Sequence, residues 1–313
     1  MIEKFYDLKP QVLELDRKTL ELCRDQFAHL EEIRDYNQLK MLRAFTDCGV
    51  EARHFLGSTG YGVWDDSRNK LEEVFSRCMG AEDALVRPQF MSGTHTLTVA
   101  LFGLLRAGDT LLAATGRPYD TLEGVIGIGE AGKGCGTLQE YGIHYDEVPL
   151  LPDFTPDYAA IAEHAKTATV VHIQRSRGYT QRNAFDLDTI QKVADTARKA
   201  NPDVVIFVDN CYGEFTQIRE PLSAGADVIA GSFIKNPGGG ITPTGGYIAG
   251  KADLVEKSAT ALPPPASART LAARRTACVI LSSASITPPA LCVKALKTAV
   301  YAQCPAGAGG CEP

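Results

Sequence analysis

VVIFVDNCYGEFTQIREPLSAGADVIAGSFIKNPGGG, residues 204–240, decides the fold. An apolar run from Val204 to Val208 delivers Asp209 at its carboxyl end, and a second run, Asp227 to Gly231, delivers Ser232 and then Lys235 before a glycine triplet. Short apolar runs bounded by turn residues are the pattern of strands buried on both faces. In an open α/β sheet ligands bind outside the carboxyl ends of the strands, so an acid and an amine at two such ends can meet one ligand. Apolar walls disfavour an ammonium ion, which makes a lysine there available for a Schiff base. An aspartate nearby can keep a pyridine nitrogen protonated. Lys235 and Asp209 together are therefore what pyridoxal 5'-phosphate (PLP) needs: an amine for the aldimine and an acid that keeps the ring an electron sink. Each residue alone has a plainer reading, since an aspartate after an apolar strand is also the Walker-B pattern of a nucleotidase and most lysines are solvated.

Outward from this stretch, apolar and helical patterns alternate. Strands are expected at 84–87, 110–114, 144–148, 169–173 and 204–208, with helices from Ser92 to Leu105, from Tyr119, over 158–165 and over 188–199. Strands separated by helical patterns give crossover units and a largely parallel sheet, an α/β fold. Residues 10–47 read as two helices with Val12, Leu13, Leu20, Phe27, Leu30 and Ile33 on a rough apolar face. A further helix, with Leu71, Val74, Phe75 and Cys78 at helical spacing, runs from a cap at Asp66 to a stop at Gly80. SGTHT (92–96) places small residues at a helix start, where free backbone N–H groups make a seat for an anion. His95 reads as a satisfied helix histidine.

Composition excludes several classes. The chain has 313 residues and a net charge of −6, with no long basic run, which argues against nucleic acid. MIEKFYDLKP lacks the apolar core of a secretory signal, and the longest apolar stretch, 97–105, is too short to span a bilayer, so a cytoplasmic protein without a membrane partner is expected. Nine cysteines, an odd number without CxxC, and six scattered histidines predict free core thiols at Cys23, Cys48 and Cys78 and no metal site. Gly127, Gly129 and Gly132 spell GxGxxG, and Gly127 to Lys133 spells GxxxxGK; both signatures require a preceding strand, and here a helical pattern precedes them, with Gly134 where a P-loop needs Ser or Thr.

VDNCYGEF and GSFIKNPGGG, with GSTGYGVWDD (57–66), RPQFMSGTHT (87–96), GRPYDTLEGVIG (116–127) and IQRSRGYTQR (173–182) in the same order, resemble the methionine gamma-lyase-like, or aluminium-resistance, family, relatives of the cystathionine lyases in PLP fold type I. The resemblance implies a PLP-binding large domain at 57–256 behind an N-terminal helical arm at 1–56 that often lies across a partner subunit, in a homodimer or homotetramer. It places the cofactor phosphate on Gly93 and Thr94, with Ser92 and Ser232 close by, the ring of Tyr119 against the pyridine, and Tyr61 reaching a partner's phosphate. Arg175 and Arg177 are weaker candidates for a substrate carboxylate. The implied reaction is elimination from a sulfur-containing amino acid, with Lys235 as proton carrier. The better-known lyases carry hydroxyl residues where this chain has Cys211 and Ile234.

After Lys257 the composition shifts to no Asp, a single Glu and four of the nine cysteines. Residues 257–313 lack a recognisable family C-terminal domain. PASAR (265–269) can be encoded so that another frame reads GIGK, which resembles an element of the family. Residues 260–289 are accordingly expected to be a frame-shifted segment, with ALCVKALKTAVYA (290–302) back in frame and a premature end. The alternatives to an active lyase are a PLP-binding fragment without turnover and a P-loop-like nucleotidase.

Overall fold

A computed structural model describes residues 4–56, 66–130, 132, 134–261, 284 and 286–304. Seven strands form one sheet in the order β1-β7-β6-β5-β4-β2-β3: β1 (Asp83–Arg87), β2 (Thr110–Ala113), β3 (His144–Glu147), β4 (Val170–Gln174), β5 (Val205–Asp209), β6 (Val228–Ser232) and β7 (Gly246–Gly250). The β3–β2–β4–β5–β6 run is parallel, while β7 is antiparallel to both β6 and β1. Two reversals restore direction. The carboxyl ends of β1, β2, β4, β5 and β6 therefore share one edge of the sheet.

Nine helices are described: α1 (Pro10–Leu22), α2 (Arg24–Asp47), α3 (Asp66–Met79), α4 (Gly93–Leu104), α5 (Asp120–Ile126), α6 (Tyr158–His164), α7 (Leu187–Ala200), α8 (Ala252–Ala259) and α9 (Pro288–Gln303). Successive strand side chains point to opposite faces, and the two faces carry separate cores. Ile206, Val208 and Ile229 pack with Phe75 of α3, Ile161 of α6 and Ile190 of α7, whereas Phe207, Val228 and Ala230 pack with Leu97 of α4, Leu122 of α5 and Val255 of α8. β4 and β6 are buried along their whole length, which is why β6 reads as an apolar run up to Ser232, while β4 buries His172 and Gln174 among its aliphatic residues.

The expected strands and helices are present, with ends shifted by a residue or so. β7, GYIAG, was not anticipated: five glycine-flanked residues carry no period to read. The apolar face expected on residues 10–47 is a core face only in part, because Ile33 is buried while Val12 and Leu20 remain about half exposed. Cys23, Cys48 and Cys78 are free and buried, and burial pushes the Cys78 thiol up to about 12. No helix of the described residues is long and apolar enough to cross a membrane. Tyr61 lies outside the described residues, as does most of 260–289, the segment expected to be frame-shifted.

Candidate active site

Five strand ends supply one cavity of about 770 Å³. Asp209 ends β5, Gln174 ends β4 in register with it, Gly93 opens α4 beyond β1, Tyr119 caps α5 beyond β2, and Lys235 follows β6. Ser92, Gly93, Thr94, Tyr119, Asp209, Lys235, Arg175 and Arg177 all line the cavity. Ser232 does not: it is fully buried, its Oγ accepting from the Ile234 N–H at 3.3 Å and donating to the Gly245 carbonyl at 3.4 Å. Its Cβ nonetheless lies behind Gly93, 3.5 Å from where a side chain there would begin.

Gly93 sits at a close approach of three elements. A Cβ at this position would stand 3.2 Å from Cys211 Sγ and 3.5 Å from Lys235 Nζ, so helix start, lysine and thiol converge on one point. Ser92 adopts extended geometry and its Oγ accepts the His95 N–H at 3.1 Å, a side-chain cap that fixes the first turn of α4. Thr94 Oγ1 lies 3.1 Å from the Tyr119 hydroxyl and 3.0 Å from Thr121 Oγ1. The Tyr119 N–H donates to Gln174 Oε1 at 3.0 Å, which ties the ring to β4. Burial, with the Asp209 charge adding, raises the Tyr119 phenol above its ordinary range and keeps it protonated. His95 behaves as expected of a structural histidine: its Nδ1 accepts the Met91 N–H at 3.2 Å and its ring meets the Phe90 edge.

Asp209 is almost inaccessible, and burial pushes its carboxyl above the usual range against the lowering pull of the Cys211 N–H, which it accepts at 3.0 Å, and of Lys235. A buried acid held this way has its charge only partly compensated, and a protonated ring nitrogen is the donor that would complete it. Lys235 departs from expectation. Burial does lower its pKa, but Cys211, Asp209 and Tyr212 outweigh burial and the amine ends above its ordinary value. The desolvation foreseen from sequence is there; the acidic neighbours, brought by folding, prevail.

Arg175 is buried and engaged by the protein itself: Nη1 donates to Asn210 Oδ1 at 2.8 Å and to the Gly213 carbonyl at 2.9 Å, and Nη2 donates to Gln217 Oε1 at 2.8 Å. Arg177 is exposed, with Nε on the Thr180 carbonyl at 3.0 Å. Sequence reasoning missed Tyr212, whose ring lies under Lys235, and Glu214, a fully buried acid that accepts the Tyr247 hydroxyl at 2.8 Å. Both sit in the NCYGEF turn already singled out. Only backbone geometry shows which of its side chains reach the cavity and which the core.

The glycine loop is not a nucleotide site. It follows α5, and the Glu140 carboxylate accepts the N–H groups of Gly134, Gly136 and Thr137 at 2.5, 2.7 and 3.1 Å, filling the anion nest from within the chain.

The donor set fits PLP: an anion seat at a helix start, an aromatic face, a buried acid and an amine, each from a different strand end. Residues 12–305 match the methionine gamma-lyase family. The Bacillus subtilis (strain 168) protein YnbB is 45% identical over 228 residues, 72% of this chain and 54% of its own length. The solved carbon-sulfur lyase involved in aluminum resistance from Clostridium novyi NT superposes with a TM-score of 0.90 at 42% identity, covering 96% of this chain and 72% of that one. The pyridoxal-5'-phosphate dependent protein YhfS from Escherichia coli shares the fold at 17% identity and a TM-score of 0.62. The fold is that of the fold type I PLP enzymes. The chain belongs to the methionine gamma-lyase family, and it spans about half the length of the curated relatives it matches.

Proposed function

We propose that the protein is a PLP-dependent carbon-sulfur lyase that acts on a sulfur-containing amino acid. The observation that carries this reading is the meeting of Lys235, Asp209, Tyr119 and the Ser92–Gly93–Thr94 helix start in one cavity. Bound PLP supplies an electron sink for negative charge at the substrate Cα. The N–H groups opening α4 hold the phosphate, helped by the partial positive charge of the helix start. Tyr119 offers the ring face that fixes the pyridine plane, and Asp209 keeps a proton on the ring nitrogen. Lys235 is the residue that carries the cofactor and then takes and returns protons at Cα and Cβ. Exposed Arg177 is the arginine with room to meet a substrate carboxylate, since Arg175 is held by Asn210, Gly213 and Gln217. That engagement favours a second reading, a chain that binds PLP without turnover.

One experiment separates the readings. The purified protein is titrated with PLP, its visible absorption recorded beside that of Lys235→Ala, and cysteine, cystathionine and methionine are then added. A band present in the wild type and missing in the variant supports the cofactor site, and release of an oxo acid and ammonia supports the lyase. A band without turnover supports the second reading. No band in either protein overturns both.

A further inference from the structure

Among the described residues, Tyr212 is the one non-glycine residue with positive φ that lines the cavity: its φ is +67°, a region that bulky L residues avoid. Strained backbone persists where its surroundings over-determine it, and here they do. The Gly213 N–H donates to the Asn210 carbonyl at 2.8 Å, and Arg175 grips both Asn210 Oδ1 and the Gly213 carbonyl. The Phe215 N–H donates to Glu220 Oε1 at 3.0 Å. A Cβ at Gly213 would lie 2.4 Å from Arg175 Cδ, so the turn closes on the arginine with no room for another residue type. Phe215, also left-handed at φ +61°, is fully buried and anchors the far side. Between these fixed points Tyr212 is turned outward, 60% exposed, while its neighbour Cys211 is 2% exposed. Its ring centroid lies 4.3 Å from Lys235 Nζ.

We propose that Tyr212 is a positioning residue whose ring face holds Lys235 as an ammonium ion at the cavity whenever that amine is not covalently engaged. The negative face of an aromatic ring attracts a cation, more strongly as water is removed, and Lys235 is half-buried beside it. The titratable groups around the amine are Asp209, Cys211 and Tyr212 from the end of β5 and its turn, with Glu214 behind them and Tyr119 across the cavity; α4 brings Gly93, which has none. Asp209 attracts the charge from the core side, where the buried Cys211 thiol also meets the amine. The Tyr212 ring, itself largely exposed, meets the amine face-on and restrains the long side chain within the cavity. The catalytic meaning of this restraint rests on the PLP reading above; its test does not.

The full chain, freed of PLP, is labelled with trace acetic anhydride between pH 8 and 12, with circular dichroism recorded at each pH, and acetylation of Lys235 is read by peptide mass spectrometry. The rate midpoint reports where that amine loses its proton. Tyr212→Leu is expected to lower the midpoint by about half to one and a half pH units, and Tyr212→Phe, which keeps the ring and loses only the phenol's charge, to lower it by less. An unmoved midpoint in Tyr212→Leu, or an equal fall in Tyr212→Phe, would overturn the proposal, the latter assigning the effect to the hydroxyl. Should Tyr212→Leu fail to fold by circular dichroism, Tyr212→Trp is compared with Tyr212→Phe. The stronger indole face must raise the midpoint, and equal midpoints overturn the proposal. Because the labelling uses no cofactor, failure of the absorption experiment leaves this result readable, and the reverse holds equally.

Discussion

At the scale of single residues the site sets buried acids against each other's environments. Glu214 is fully buried, and burial pushes its carboxyl up to about 8, with the nearby Glu220 adding and the Tyr247 hydrogen bond and Lys235 opposing. Its Oε2 has no hydrogen-bond partner, so a negative charge there would be poorly compensated. The sign follows from its raised folded pKa. Stability from Glu214 is complete below the ordinary carboxyl range near 4.5 and is lost as pH rises towards about 8, because the folded chain holds a proton that the unfolded chain releases. Glu214→Gln, which can still accept from Tyr247, should flatten that decline. Urea midpoints measured from pH 5 to 9 check it, and parallel pH profiles for variant and wild type would refute it. Lys235→Ala should reduce any lyase turnover by at least about a hundredfold, the range of a lost general acid-base, with oxo-acid release as the readout. The places of Asp209 and Lys235 at the ends of two neighbouring strands were legible. Their ionisation was not, because the neighbours that set it come from 26 residues away along the chain, between positions 209 and 235, and meet only in the fold.

At the scale of elements, helix α4 has two duties at one end. Ser92 uses its hydroxyl to cap the helix at the His95 N–H, while Gly93 and Thr94, the first residues of the helix, line the cavity. Ser92→Ala should therefore destabilise the protein by about 1 kcal/mol and also weaken PLP binding by loosening the anion seat. Thermal unfolding and a PLP titration measure the two effects separately, and a loss of binding with unchanged stability would deny the capping role. The loop after α5 shows the opposite relation of motif to function. Its glycines have left-handed backbones at Gly127, Gly129, Gly134 and Gly136, yet the anion they cradle is Glu140. Glu140→Ala should speed hydrogen exchange at Gly134, Gly136 and Thr137, while nucleotide binds neither protein. Spacing alone brought the loop close to two nucleotide signatures; the preceding helix already argued against both.

At the scale of the molecule, the N-terminal helices carry apolar side chains that nothing in the described chain covers. Tyr36, Leu39 and Leu42 on α2, with Val12, Leu15 and Leu20 on α1, are each close to half exposed or more. Such a stripe fits the expected homo-oligomer, and Leu39→Glu should lower the mass seen by light scattering; an unchanged mass would set this face aside. Bound PLP should raise the unfolding temperature with concentration, as any ligand of the folded state does. The sequence by itself determined the α/β class, the alternation of strands and helices and the edge at which chemistry gathers, because burial on both faces and helical spacing are local patterns. It also carried the family, through short motifs in fixed order. Only the tertiary structure decided the antiparallel place of β7, the engagement of Arg175 by Asn210, Gly213 and Gln217, the outward turn of Tyr212 and the burial of Glu214. Those depend on which distant side chains share a space of a few ångströms, and no period or spacing along the chain encodes that distance.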